Sequence, residues 1–177
     1  MNYILNIPFS DRIVPYIIAV GTKILSIEFK NVRVIDSYSF LPMPLSAFSS
    51  TFQISEVKKG YFPHYFNTLD NQSYIGEYPD PKYYGIKYFS KSKRDEFKLW
   101  YESVKSSTFN FKDELISYCE SDVELLAKGC LKFREIIIDI SSLDPFQVSI
   151  TIASLCHKIC RQLFMLPNSI AVIPETG

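Results

Sequence analysis

The sequence predicts an α/β protein, with short strands near its start, long helices in its second half, and a tyrosine-rich loop between them. Three observations carry this. Lys23 to Phe29 alternates in part, with Leu25, Ile27 and Phe29 on one side, and a tight turn at Asn31 leads into Val32 to Ile35. Two short runs joined this way read as a β-hairpin. Phe97, Trp100, Tyr101 and Val104 recur at i, i+3, i+4 and i+7, the spacing of one helix stripe. Residues 60 to 90 hold Gly60, Pro63, Gly76, Pro79, Pro81 and Gly85 among many tyrosines, and a loop of that length is uncommon and often functional.

The elements follow in order. Ile13 to Val20 is apolar and precedes the hairpin, and Asp36 closes its second strand. Leu41-Pro42-Met43-Pro44 ends any strand, because proline cannot donate to a ladder. A short helix is expected from about Leu45 to Phe48. The helix Ser92 to Ser106 takes Ser92 as its cap, with Asp95 and Glu96 suited to its first turn. Asn110 caps a longer helix from Phe111 to about Ile140, with Leu115, Cys119, Leu126 and Phe133 marking its buried side. Asp144-Pro145 breaks the chain, and Ser149 to Phe164 reads as a third helix. Pro167-Asn168 turns into a short β-run, Ser169 to Ile173, that stops at Pro174.

Composition bounds the function. A chain of 177 residues that is 47% apolar suffices for one packed domain, and 12 Tyr with 14 Phe argue against disorder. The net charge of zero removes any global electrostatic case for nucleic acid. The local balance is uneven: Lys82 to Lys105 holds seven Lys or Arg against three acids, and Phe111 to Asp144 eight acids against four bases. Charge alone favours two ordinary solvated helix faces. Cys119, Cys130, Cys156 and Cys160 form no Cys-x-x-Cys pair, so buried thiols in a reduced, intracellular compartment are expected rather than a zinc site. Neither a signal peptide nor an apolar run of membrane-spanning length is seen.

Tyr118 and Asp122 stand i, i+4 on the long helix and point the same way. A carboxylate that holds a divalent ion beside a phenol that orients water suits two-metal phosphodiester cleavage. Taken alone, the pair reads more readily as a core tyrosine one turn from a solvated aspartate. Asp122-Val123-Glu124 spells Asp-x-Glu, but on a helix i and i+2 diverge by about 200°, so Glu124 is expected in solvent. Lys58 and Lys59 precede Gly60 at the mouth of the aromatic loop, where a lysine can meet a phosphate; two exposed lysines before a turn is the plainer reading. His64 has no partner at ligand spacing and reads as a loop or core histidine. Tyr83-Tyr84 suits either stacking on bases or pinning the loop to the core.

Blocks of residues in order carry a resemblance: Ile35-Asp36-Ser37; Leu41-Pro42-Met43-Pro44-Leu45; Lys58-Lys59-Gly60-Tyr61-Phe62-Pro63-His64; Tyr74-Ile75-Gly76-Glu77-Tyr78-Pro79-Asp80-Pro81; Tyr118-Cys119-Glu120-Ser121-Asp122-Val123; Gly129-Cys130-Leu131-Lys132-Phe133-Arg134; and Ile150-Thr151-Ile152-Ala153-Ser154. In this series the chain resembles the protein-primed family B DNA polymerases, the viral and transposon branch above all, from about Tyr3 to Ile173.

The resemblance implies a partial RNase H-like 3′–5′ exonuclease fold, a mixed sheet with flanking helices and its N-terminal strands missing. It implies exonuclease-domain residues over 1–144 and, over 145–177, a helix and strand leading toward a polymerase palm. The family's third exonuclease motif, Tyr-x-x-x-Asp, falls on Tyr118 and Asp122. Its phosphate-assisting lysine before a glycine falls on Lys59, or on Lys58 if the register slides by one. Lys58, Lys82, Lys91, Lys93 and Arg94 are the candidate DNA contacts. Mg²⁺ or Mn²⁺, a single-stranded 3′ end of DNA and a terminal priming protein are the implied cofactor and partners, with no membrane. The family's Asp-x-Glu motif, the aspartate of its second motif and the palm motifs are absent, so the chain is expected to be inactive alone. A DNA- or primer-protein-binding remnant and a decayed transposon relic are the competing readings.

Overall fold

The computed structural model describes residues 14–54, 60–167 and 169. Its elements fall into two compact units, one drawn from Met1–Pro44 with Cys130–Gly177 and the other from Leu45–Gly129. The result is a mixed α/β chain with small sheets flanked by helices. Every strand pairing among the described residues is antiparallel, where a mixed sheet was expected.

The first unit opens with a three-stranded meander of β1 (Tyr16–Val20), β2 (Lys23–Phe29) and β3 (Val32–Ile35), in that spatial order. Val20 faces Lys23 and Phe29 faces Val32, so both turns hold two residues. Turns this tight draw on left-handed backbone, supplied by Gly21 at φ 60° and Lys30 at φ 51°. The left-handed residue of the second turn is thus Lys30 rather than its neighbour Asn31. The centre of β2 is the covered part of the sheet, with Ser26 and Ile27 buried. Phe40 is buried against the Phe146 and Phe133 rings, at 5.2 and 6.2 Å between centroids. Arg33 donates to Glu28 at 2.7 Å and to the Gln147 carbonyl at 3.0 Å.

The helical part of this unit differs in detail from its sequence reading. Asp144 does more than break the chain. Its carboxylate accepts from the Phe146 N–H, capping a short helix, Pro145–Val148, and takes two donations from Arg134 at 2.7 and 3.0 Å. Ser149 is extended, and the last helix begins only at Ile152 and runs to Leu163, because Thr151 accepts from the Ser154 N–H as its cap. Of the expected strand Ser169 to Ile173, residues 170–173 lie outside the described residues.

The second unit holds less regular backbone. A left-handed Gln53 follows the helix α1 (Phe48–Phe52). Residues 60 to 90 fold as successive 3-10 turns, His64–Phe66, Leu69–Asn71, Pro81–Tyr84 and Ile86–Tyr88. Within them, β4 (Ile75–Gly76) pairs with β5 (Phe109–Asn110). The helix α2 (Lys91–Val104) is capped by Ser90, whose hydroxyl accepts from the Lys93 N–H. Ser92, the expected cap, instead donates to Glu96 one turn on. Asn110 does cap the long helix α3 (Phe111–Ser141), accepting from the Lys112 N–H at 3.2 Å.

The inward stripe of α3 in this unit is Phe111, Leu115, Tyr118, Asp122, Leu125 and Gly129, at alternating steps of four and three residues. Cys119, expected on that stripe, is exposed. Phe62, Phe66, Phe109 and Phe111 form the core beneath it. Each buried ring removes enough apolar surface to contribute about 2–3 kcal/mol. Gly129 has its own reason: a Cβ there would lie within the ring of Phe48, which is 2% exposed.

Candidate active site

The aromatic loop meets α3 through Phe62 and His64, which both pack on Tyr118, and Phe62 also packs on Phe111. The Phe62 ring lies 5.4 Å from the Tyr118 ring at 31°, and the His64 ring lies 5.4 Å away edge-on, at 81°. Pro63, buried between them in sequence, and the His64 N–H donating to the Phe62 carbonyl fix that approach. On the other side of the loop, the Tyr78 hydroxyl donates to Glu114 at 3.1 Å and ties the chain to the first turn of α3.

Two spaces open around Tyr118, both lined by Gly60, Tyr61 and Phe62. The larger is a cleft of about 600 Å³ that His64, Tyr84, Phe89, Lys93 and Glu96 help to line. The smaller, about 120 Å³, is bounded by Glu114, Ser117 and Ser121 of α3. Two buried hydroxyls that line these spaces, Tyr84 Oη and Ser121 Oγ, have no hydrogen-bond partner among the described residues. Such groups call for water or a polar ligand, since an unpaired buried hydroxyl is costly.

The electrostatics keep the phenols protonated. Burial first, then the Asp122 carboxylate one turn along the same face, push the Tyr118 hydroxyl above the ordinary tyrosine range. Tyr118 is therefore a neutral hydrogen-bond donor at neutral pH, held beside a carboxylate. Tyr61 is raised by burial and by Glu96, and Tyr84 is raised further, mainly by burial.

The structure brings Tyr118, Asp122 and Lys93 into one unit, with Tyr118 and Lys93 lining the same cleft. Lys93 also sits 4.6 Å above the Phe89 ring. The other candidate cations go elsewhere. Lys82 and Arg94 line two adjoining depressions apart from this cleft, and Lys91 is exposed in the first turn of α2. Lys58 and Lys59 lie outside the described residues. Glu124 is solvated as expected, paired with Lys128 at 2.6 Å. Tyr84 is 4% exposed and packs on Phe97 and Trp100, while Tyr83 packs on Phe66, so this pair pins the loop to the core.

The sequence read His64 as a loop or core histidine rather than a site residue, and did not single out Ser121. The available signal was positional: one stands five residues after Lys59 and the other next to Asp122. Among the described residues no three His, Cys, Asp or Glu gather as a metal-holding group. Asp122 brings one carboxylate, and the nearby Glu114 is already engaged by Tyr78. The described residues therefore do not by themselves fit a catalytic divalent ion, and their own chemistry is that of a stacking and hydrogen-bonding cleft. No helix among them is long and apolar enough to cross a membrane.

The fold and site define a mixed α/β chain in which Tyr118 lines an aromatic cleft and Asp122 stands one turn along the same helix face. Comparison makes the class specific: over residues 1–176 the chain matches the family described as DNA polymerase type B, organellar and viral, and it belongs to that family. It is 31% identical over 139 residues to a probable DNA polymerase of Neurospora intermedia, a match covering 76% of this chain and 14% of that protein. A probable DNA polymerase of Agaricus bitorquis is 31% identical over 137 residues, covering 75% of this chain and 16% of its own length. A DNA polymerase of Kluyveromyces lactis is 25% identical over 169 residues, 89% of this chain and 17% of that protein. The chain thus spans between 14% and 17% of the length of these curated relatives. No solved structure matches it.

Proposed function

We propose that this chain is a portion of the 3′–5′ exonuclease region of a protein-primed family B DNA polymerase that replicates a viral or transposable element, and that it is inactive alone. The observation that carries this reading is the placement of Tyr118. Its phenol stands at the junction of two polar-lined spaces, with Asp122 on the same helix face. The family match and the relatives' greater length support the assignment to part of a larger enzyme.

In this reading the chain's own residues bind and orient a DNA 3′ end. Tyr118, whose hydroxyl donates to Asp122, orients a water by accepting from it, and its ring is set by Phe62 and His64. Lys93 attracts the phosphate backbone, and Phe89 and Tyr61 offer faces for bases. Lys59 assists at the phosphate, and the residue after it, Gly60, lines the cleft. Mg²⁺ or Mn²⁺ belongs to the complete enzyme, in which Asp122 supplies one ligand and other segments supply the rest. Residues 1–144 form the exonuclease part, of RNase H-like fold, and 145–177 lead toward the palm. DNA and a terminal priming protein are the partners.

The test is to read the transcript and its locus beyond both ends of this frame. An in-frame Asp-x-Glu and second-motif aspartate upstream, with palm motifs downstream, are expected. Stop codons close on both sides would contradict the proposal and leave a relic or a repurposed remnant.

A further inference from the structure

Two depressions on the Leu45–Gly129 unit share no lining residue with the Tyr118 cleft but share Pro81 and Ile86 with each other. One, of about 440 Å³, is flanked by Tyr65, Lys82 and Lys87. The other, of about 260 Å³, is floored by Phe97 and Tyr101 and flanked by Arg94 and Lys98. Together they make an apolar groove with four cations along it.

The two acids of the groove are already engaged. Asp80 accepts from the Lys82 N–H at 2.9 Å, and Glu102 pairs with Lys105 at 2.5 Å. Two of the three lysines are held over rings, Lys82 5.0 Å from the Tyr83 centroid and Lys87 4.8 Å from the Tyr88 centroid, while Lys98 pairs at the longer distance of 3.8 Å with the exposed Asp95. Arg94 is steadied by its Nε donating to the Phe89 carbonyl at 3.0 Å. Gly85, at φ 70°, lets the exposed Tyr65 ring of the groove close on the backbone there, with the exposed Tyr88 ring standing just beside the groove. A Cβ at this position would come within 3.1 Å of Tyr65 and 3.8 Å of Tyr88, rings of residues 57% and 72% exposed.

We propose that this groove is a second track for single-stranded DNA, in which bases stack on Tyr65 and Tyr88 and phosphates pair with Lys82, Lys87, Arg94 and Lys98. Charge complementarity selects an anionic partner. The exposed rings select a nucleic acid over an acidic peptide, because bases stack on accessible aromatic faces while phosphates follow the cations. The proposal deepens the polymerase reading and rests on it: a strand whose end lies in the Tyr118 cleft gains a further contact on the same unit.

The test is anisotropy of a fluorescent oligo-dT with the full 177-residue chain over a range of salt, each variant first checked for an unchanged melt. Lys82→Ala with Lys87→Ala should weaken binding roughly tenfold and flatten the log–log salt slope by about 0.7 per lysine removed. Tyr88→Leu should weaken binding roughly fivefold or more through lost stacking. If Lys93→Ala abolishes binding while the groove variants retain it, the strand runs through the cleft alone and the groove proposal falls, with the family reading intact. Binding insensitive to Tyr88→Leu and competed equally by polyglutamate would mark an acidic-protein surface and also overturn it. No oligo-dT binding by the parent chain at low salt would overturn both the groove and the DNA-contact reading of the cleft.

Discussion

The two units hold themselves together by different chemistry, and the candidate site sits in the less regular of the two. The unit containing the meander joins paired strands and charged contacts to a small ring cluster of Phe40, Phe133 and Phe146. Lys23 pairs with Asp36 at 3.1 Å, and Arg134 donates twice to Asp144. The Leu45–Gly129 unit uses rings. Tyr61, Tyr78, Tyr84, Tyr101 and Tyr118 all have raised pKa values, in each case with burial as the largest cause. The same tyrosines that close this core also line its cleft, so fold and site depend on one set of side chains. It follows that the first unit is the more sensitive to acid and the second to alkali.

The comparison breaks most easily at the ring core. Phe109 is 1% exposed and packs on Tyr78, Phe66 and Phe111. Phe109→Ala should cost about 3–5 kcal/mol, read by fluorescence of Trp100, the single tryptophan, which stacks in the same unit. An unchanged denaturant midpoint would mean the rings do not hold this unit together.

Gly129→Ala comes next. Helix propensity alone predicts a gain of about 1 kcal/mol, but the buried Phe48 ring occupies the space. Overpacking of this kind costs about 1–3 kcal/mol, so a net loss in the urea midpoint is expected; a gain would show that Phe48 can move.

Asp144→Ala should cost about 1–2 kcal/mol through loss of the cap. The acid dependence has a definite sign. The Arg134 hydrogen bonds are the largest influence on Asp144 and hold its carboxyl below the ordinary value. For Asp36, burial acts upward but is outweighed by Lys23 and by the donors from Tyr38 and Ser39. A depressed carboxyl stabilises the native state above its unfolded pKa of about 3.9, and that contribution is lost as pH falls through the lower, native value. Circular dichroism melts should therefore weaken below about pH 4, and less steeply in Asp144→Ala.

The smallest effect is at Tyr84. Its raised pKa means that above about pH 10 the unfolded chain loses the phenolic proton while the native chain keeps it, so stability falls as pH rises. Tyr84→Phe removes a buried hydroxyl without a partner among the described residues. It should be neutral or stabilising by up to about 1 kcal/mol, with a gentler alkaline loss in Trp100 fluorescence.

What the sequence revealed follows the same division. The hairpin, the stripe Phe97, Trp100, Tyr101 and Val104, and the cap at Asn110 were readable because each is a local, periodic or side-chain-to-backbone signal. Caps separated by two residues, Ser90 and Ser92, were not distinguishable, since both are serines before a helical pattern and only the hydrogen bond to Lys93 decides. The buried side of α3 was read one position off at Cys119, because apolar content marks a face less well than the contacts of Tyr118 with the loop. The 3-10 turns of residues 60 to 90 have no period to read, and their order comes from rings distant in sequence. Tyr118 and Asp122 were found as a spacing; the cleft around them, and His64 within it, needed the fold.

The proposal that Tyr118, with Asp122 one turn along its helix, serves a cleft for a DNA 3′ end, and that the chain is inactive alone, is tested most directly by a nuclease assay. The purified chain is incubated with a 3′-labelled single strand and Mg²⁺ or Mn²⁺, beside its Asp122→Ala variant. No metal-dependent release of 3′ nucleotides above buffer is predicted for either protein. Release by the parent chain that disappears in Asp122→Ala would contradict the account.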